Sequence, residues 1–392
     1  MGNSTAADAE GGASRSGGAG NSGGAMDSGT ALVVLLNFGG PRDSGEVEEF
    51  LFEILRDPNT MQLPVPQWLQ DRLARFIAGR RAPETIRQYG EIGGRSPSVA
   101  DTDRIACALE SALAEAGHPV PVRIAHRYLA GWSASLAAEI AAAEYGRLFA
   151  LPLYPHFSYA TTGSSLEQLE VALRSAGFRG GLLALRSYPD DPGYVAALSE
   201  RLRECLERHG LSPEGTVVLC SAHGLPVANV ERGDPYPREL ERTLGRLRER
   251  FPEWRIELSF QSRVGPAEWR KPYTDAFVPL LAEQGVRQLV FVPISFVNDH
   301  IETIYEVGHT YFDLARRCGI EPYRCDAVSD HPDHIRTLCE AVRRWQDTGW
   351  GVPPVELLPP SQAFRRRWAW LLAAGLLGAA AVALVVAWLA AA

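Results

Sequence analysis

Basic charge is scarce in this chain of 392 residues: 39 Lys and Arg stand against 47 Asp and Glu, a net −8. Nucleic-acid binders carry the opposite balance, so that class is excluded. The six cysteines (Cys107, Cys205, Cys220, Cys318, Cys325 and Cys339) include no C-x-x-C pair, which removes a zinc ribbon and a disulfide framework. Most fall inside predicted strands or helices, where they serve as small apolar fillers in a reducing compartment. Walker A is also missing, and no G-x-S-x-G elbow or G-x-G-x-x-G fingerprint follows a predicted strand. Residues 1–29 lack large apolar side chains and read as a disordered Gly/Ser-rich arm that cannot offset the entropy of ordering. They have no apolar h-region, and Arg15 is their only base beside Asp8, Glu10 and Asp27, which argues against a secretory or mitochondrial leader.

What is present is a repeating pattern. The apolar runs Ala31–Leu36, Val120–Ala125, Leu148–Leu153, Gly181–Leu185, Thr216–Cys220, Arg255–Phe260, Gln288–Ile294 and Pro322–Ala327 alternate with helical stretches. These include Thr102–Ala116, Leu166–Ser175, Pro192–His209, Pro237–Phe251, Tyr273–Gln284 and His331–Trp345. Alternation of this kind signals βαβ units and parallel sheets. The runs fall into two similar groups, which predicts an α/β fold of two Rossmann-like domains, each with a four-stranded parallel sheet: 30–186 and 187–347. One stretch, Met61–Ala82, is long and apolar without a strand role, and reads as packed helix or as a lip over a site or bilayer.

Beyond a proline-rich linker and basic flank (348–367), residues 368–392 form a predicted transmembrane helix. No charge occurs from Trp368 to Leu389, and a span needs roughly 20 apolar residues. Trp368, Trp370 and Trp388 mark both ends, and Arg365, Arg366 and Arg367 precede the helix, which leaves the folded body on the cytoplasmic side.

Ionisable residues gather at two strand ends. His223, in Ser221-Ala-His-Gly-Leu-Pro226, follows the fifth run; Asp299-His300-Ile-Glu302, with Glu306 four residues on, follows the seventh. Strand carboxyl ends are where ligands bind in open α/β folds. An imidazole facing a His/Glu pair can take protons, hold a divalent metal, or do both. If the segment is helical, Glu302 and Glu306 share a face. His118, His209, His331 and His334 read as surface.

Other motifs complete the set in order: Leu36-Asn-Phe-Gly-Gly-Pro41, Gln88-Tyr-Gly-Glu-Ile-Gly-Gly-Arg-Ser-Pro97, Tyr154-Pro-His-Phe-Ser158 through Ser165, Gly233-Asp-Pro-Tyr-Pro237, and Gln261-Ser-Arg-Val-Gly-Pro266 with Trp269. Together they resemble the ferrochelatase family over about Ala31 to Trp345. That resemblance implies two Rossmann-like domains around a porphyrin cleft, and insertion of ferrous iron into protoporphyrin IX to make haem. It implies His223 as proton acceptor or metal-facing ligand, Glu302 as proton acceptor or iron carrier, His300 as orienting or relaying group, and Glu306 as a further carboxylate for metal or protons. Met61, Arg81, Tyr89, Arg127, Tyr128, Tyr154, Trp269 and Phe296 match positions lining the family's cleft, arginine holding propionates and aromatics packing on the macrocycle.

Some relatives hold a [2Fe–2S] cluster on four cysteines. Here Cys318 and Cys325 match two ligands, while Tyr159 and Ala327 stand at the others, so no cluster is expected and iron is a substrate. The resemblance leaves a coproporphyrin or other tetrapyrrole chelatase, and a non-catalytic porphyrin or haem carrier, as alternatives. Lipid and an upstream haem-pathway enzyme are the further partners it suggests, with the chain seated in a bacterial inner membrane.

Overall fold

The central strands of this chain are apolar on both faces, and such strands belong in sheets covered on both sides. In the computed structural model, which describes residues 30–61, 65–263 and 267–354, all eight expected strands form. They are β1 (Ala31–Asn37), β2 (Val122–His126), β3 (Arg147–Pro152), β4 (Gly181–Ala184), β5 (Thr216–His223), β6 (Arg255–Gln261), β7 (Gln288–Pro293) and β8 (Glu321–Arg324). They make two four-stranded sheets in the orders β2-β1-β3-β4 and β6-β5-β7-β8, every pairing parallel. In both orders the chain reverses direction beside the second-listed strand, so the switch-point crevices open at the carboxyl ends of β1 and β3, and of β5 and β7.

The helices are α1 (Val47–Arg56), α2 (Gln67–Glu91), α3 (Ser98–Glu115), α4 (Trp132–Ala142), α5 (Ser164–Ser175), α6 (Pro192–Arg208), α7 (Val227–Glu231), α8 (Tyr236–Arg250), α9 (Thr274–Glu283), α10 (Phe312–Arg317) and α11 (Pro332–Thr348). Two π-helical segments, Tyr159–Gly163 and Glu302–Tyr311, lead into α5 and α10, so β3 and β7 are followed by the same device. The apolar stretch from Met61 becomes the start of α2, with Trp68 62% and Phe76 50% exposed.

Alternation along the strands divides the interior. Val33 and Leu35 of β1, Val218 and Cys220 of β5, and Val290 and Val292 of β7 face one core common to both sheets. Leu32, Val34 and Leu36 face a second cluster, and Val217, Leu219, Leu289 and Phe291 a third. The halves therefore share an interior. Trp345 of α11, the last of the described helices, is buried in it and stacks on Phe149 of β3 at 5.1 Å. Val352 then pairs with Ala184 on the open edge of β4, as edge strands require cover.

The loops after β3 and β7 are exchanged. In the first, the Phe157 N–H donates to Glu239 of α8 (2.6 Å), Ser158 Oγ and the Tyr159 N–H donate to Asp234 (2.8 and 3.0 Å), and His156 Nε2 meets Thr243 (2.7 Å). In the second, Asn298 Nδ2 donates to the Ser98 carbonyl and Thr102 Oγ1 of α3, both at 3.3 Å.

One expectation is corrected: His334 is not at the surface. It is fully buried, with Nδ1 2.6 Å from the Ser329 carbonyl and its ring beside Tyr188 and Tyr194. Among the described residues no helix is long and apolar enough to cross a membrane. The predicted membrane helix 368–392 and the arm 1–29 lie outside the described residues.

Candidate active site

His223 is the last residue of β5, paired in register with Gln261 of β6, rather than a residue beyond the strand. The chain leaves it through Gly224, where a Cβ would come within 2.7 Å of the Gln261 carbonyl and 3.0 Å of Trp269, so only glycine fits. His223 Nδ1 lies 2.7 Å from Glu302 Oε2, and the imidazole remains 41% exposed. That hydrogen bond assigns the proton of the neutral ring to Nδ1, which leaves the Nε2 lone pair free.

Glu302 opens the second π-helical segment. The segment's entry is tied down: Asp299 Oδ1 accepts from Thr303 Oγ1 and from Arg324 Nη1 of β8, each at 2.7 Å. His300 Nδ1 accepts the Glu302 N–H at 3.0 Å, so its proton is assigned to Nε2, a buried donor with no partner among the described residues. Phe296 packs edge-on against His300 at 4.1 Å and lies 6.4 Å from the His223 ring.

The wide helix brings Glu306 round to the same place, and residue 262 holds the two carboxylates. Ser262 has φ +63°, a left-handed conformation that aims its N–H at Glu306 Oε1 (3.0 Å) and its hydroxyl at Glu302 Oε2 (3.1 Å) and at Glu306 Oε2. Gln261 Nε2 adds donors to Glu306 and to the Glu302 carbonyl, and Tyr311 Oη donates to Glu306 at 2.9 Å.

These contacts separate the protonation of the groups. Burial raises Glu302, but the His223 imidazole, then His300 and Ser262, outweigh it and push the carboxyl down to about 2. Burial lowers His223, and Glu302, aided by Glu306, more than reverses this, so its net shift is upward. Glu306 is raised by burial and by the neighbouring Glu302 charge. His300 is lowered by burial and stays neutral. The site thus pairs a carboxyl held down by its imidazole with a second held above the ordinary carboxylate range.

The remaining expected residues divide by place. Trp269 bridges to Pro226 beside His223, its indole Nε1 buried and without a partner among the described residues. Tyr89 is buried with Val47, Ala82 and Ile301, and its hydroxyl is pushed up by burial and by Glu302. Arg81 is exposed on α2, and Met61 packs on the α1/α2 cluster. Tyr154 is buried in the N-terminal half, its hydroxyl 3.4 Å from Ser165. Arg127 and Tyr128 belong to a separate buried cluster around Asp57.

With this geometry in place, comparison with known proteins decides the family. The family model described as Ferrochelatase matches residues 30–346. This chain belongs to the ferrochelatase family. A ferrochelatase of Cyanothece sp. is 38% identical over 352 residues, 86% of this chain and 89% of that one. The ferrochelatase of Gloeobacter violaceus is 38% identical over 315 residues, 79% of this chain and 96% of its own. Among solved structures, SirB from Bacillus subtilis with Fe3+ aligns over 80% of this chain and 95% of its own at TM-score 0.48 and 12% identity.

The sequence reading of this ferrochelatase-family chain missed the supporting residues. Ser262 stood inside a quoted motif, yet a serine gives no sign that its backbone will be left-handed. Asp57, Asn298 and Arg324 carried no local signal, because their partners are distant in sequence.

Proposed function

We infer that this chain is an enzyme that inserts ferrous iron into protoporphyrin IX to form haem, releasing the two pyrrole protons. The observation that carries the mechanism is the His223–Glu302 contact at the β5/β7 switch point, which points a lone pair of an exposed imidazole away from its carboxylate anchor. As metal replaces pyrrole N–H, His223 Nε2 accepts a proton, and Glu302 stabilises the imidazolium so formed. Glu306, raised by burial and by the Glu302 charge and joined to Glu302 through Ser262, is where a proton passes next. Imidazole and carboxylate oxygens also suit transient Fe(II) ligation on the way to the macrocycle, with His223, Glu302 and Glu306 as the donors. His300, neutral and bonded to the Glu302 N–H, orients the segment. Trp269 and Phe296 beside His223, with Met61, Arg81, Tyr89, Arg127, Tyr128 and Tyr154, make up the porphyrin's surroundings. The chain has no resident cluster in this reading.

Exposed Trp68 and Phe76 on α2 support contact with lipid, where an apolar substrate dissolves. Residues 368–392 are read as a single span of a bacterial inner membrane, the body on its cytoplasmic side. The deciding experiment is anaerobic Fe(II) insertion into protoporphyrin IX, beside coproporphyrin III and beside His223→Ala. Haem formation by the intact chain, abolished by the substitution, is expected. A coproporphyrin preference moves the chain to a sister activity, and porphyrin binding without metalation makes it a carrier.

A further inference from the structure

Asp57 ends α1 and begins the segment that leads to Met61, and its side chain is only 1% exposed. Its Oδ2 accepts from Arg127 Nη2 at 2.7 Å, from Tyr128 Oη at 2.8 Å and from Ser164 Oγ, while Oδ1 accepts the Asn59 N–H at 2.8 Å. Its carbonyl accepts the N–H groups of Thr60 (3.1 Å) and Met61 (2.8 Å). Thr60 Oγ1 closes the ring by meeting Tyr128 Oη at 2.8 Å.

One buried carboxylate thus joins the base of the α1–α2 connection to the residues after β2 and to the first turn of α5. Arg127 is held on two sides, Nη2 by Asp57 and Nε by Ser164 at 2.7 Å, over the Tyr128 ring. Among the described residues its Nη1 has no hydrogen-bond partner, and it is not one of the buried atoms without one, so the remaining 12% exposure leaves that edge available. An arginine fixed in this way presents one N–H edge in one direction, which a mobile guanidinium does not.

We propose that Asp57 is a positioning residue for porphyrin binding: without touching the substrate, it fixes Met61 on the rim and the free edge of Arg127 at the cleft. The inference rests on the porphyrin reading above. No polar group of the iron-handling cluster contacts Asp57, so its effect falls on porphyrin and not on metal.

The test uses the full chain. Protoporphyrin IX binding without iron is followed by fluorescence titration, and the KM for Fe2+ by anaerobic insertion, for wild type and Asp57→Asn. The expected result is a porphyrin Kd raised on the order of tenfold, the scale of one lost charge-assisted hydrogen bond, with the Fe2+ KM unchanged. Ser164→Ala removes one donor to Asp57 together with the acceptor of Arg127 Nε, and leaves no charge unpaired. It is expected to raise the same Kd by about threefold, and it carries the test if Asp57→Asn does not fold. An unchanged porphyrin Kd in the folded variants overturns the proposal, as does an equal rise in Fe2+ KM, which marks general loosening. If wild type binds no porphyrin, the functional reading fails instead.

Discussion

The two nitrogens of His223 have separate tasks, and Glu302 keeps them separate. Replacing Glu302 with Gln leaves a hydrogen-bond partner on Nδ1 but removes the anion that stabilises the protonated ring. We expect kcat for iron insertion to fall by about 10²–10³, the usual scale for a disabled general base. The sign of the pH effect follows from the upward shift of His223. A raised base stays protonated to higher pH, so kcat/KM falls as pH drops through a value above the ordinary 6.5, and Glu302→Gln moves this limb downward. A kcat/KM profile in the two proteins checks both statements, and a limb unmoved by the substitution counts against His223 as the base. In stability the pair acts in a window. The imidazole contributes fully below pH 6.5 and loses its contribution as pH rises through the shifted value; the carboxylate contributes above pH 4.5 and loses its own as pH falls toward about 2. At this scale the sequence drew attention to His223, His300, Glu302 and Glu306 because they cluster after two strands of the same half, and the structure brings His223, Glu302 and Glu306 together. The sequence was opaque for Asp57 and for buried His334, whose surroundings come from distant segments.

Among the elements, the π-helical segment Glu302–Tyr311 has the largest consequence for the site. Its wide turn lets two acids four residues apart converge on one serine. Sequence periodicity predicted a shared helical face but not the wider turn, since apolar spacing over ten residues does not distinguish the two. Only part of α2 was foreseen: Met61–Ala82 read as packed helix or lip, whereas the helix runs on to Glu91 through Pro83, where a helix is expected to stop. Ser262 allows a test of how much the site depends on the backbone. Ser262→Gly keeps the left-handed turn and the N–H to Glu306 while deleting the hydroxyl. Ser262→Thr keeps the hydroxyl but puts a β-branched residue at φ +63°. The threonine variant is expected to lose about 1–3 kcal/mol of stability and the glycine variant less, measured by urea denaturation. If threonine is the more stable of the two, strain at Ser262 is not what sets the loop.

For the whole molecule, all eight strands were visible in advance, the central ones because parallel strands buried on both faces leave unbroken apolar runs. The sharing of one core by both sheets was not visible, since a 3.6-residue pattern says which face of α11 is apolar but not which half it covers. Trp345→Ala tests that sharing. The cavity should cost about 3–5 kcal/mol. Loss of stability should be reported equally by probes in the two halves during urea unfolding, and a transition confined to residues after Thr216 contradicts a common interior. The same helix sets the order in which the protein can be made. Domains generally fold as they leave the ribosome, first residues first. Here the emerging first sheet must wait, Phe149 still open to water, until the last helix of the body has been synthesised and can close over it. For most of its translation the nascent chain is therefore a client for whatever shields apolar surface in the cell.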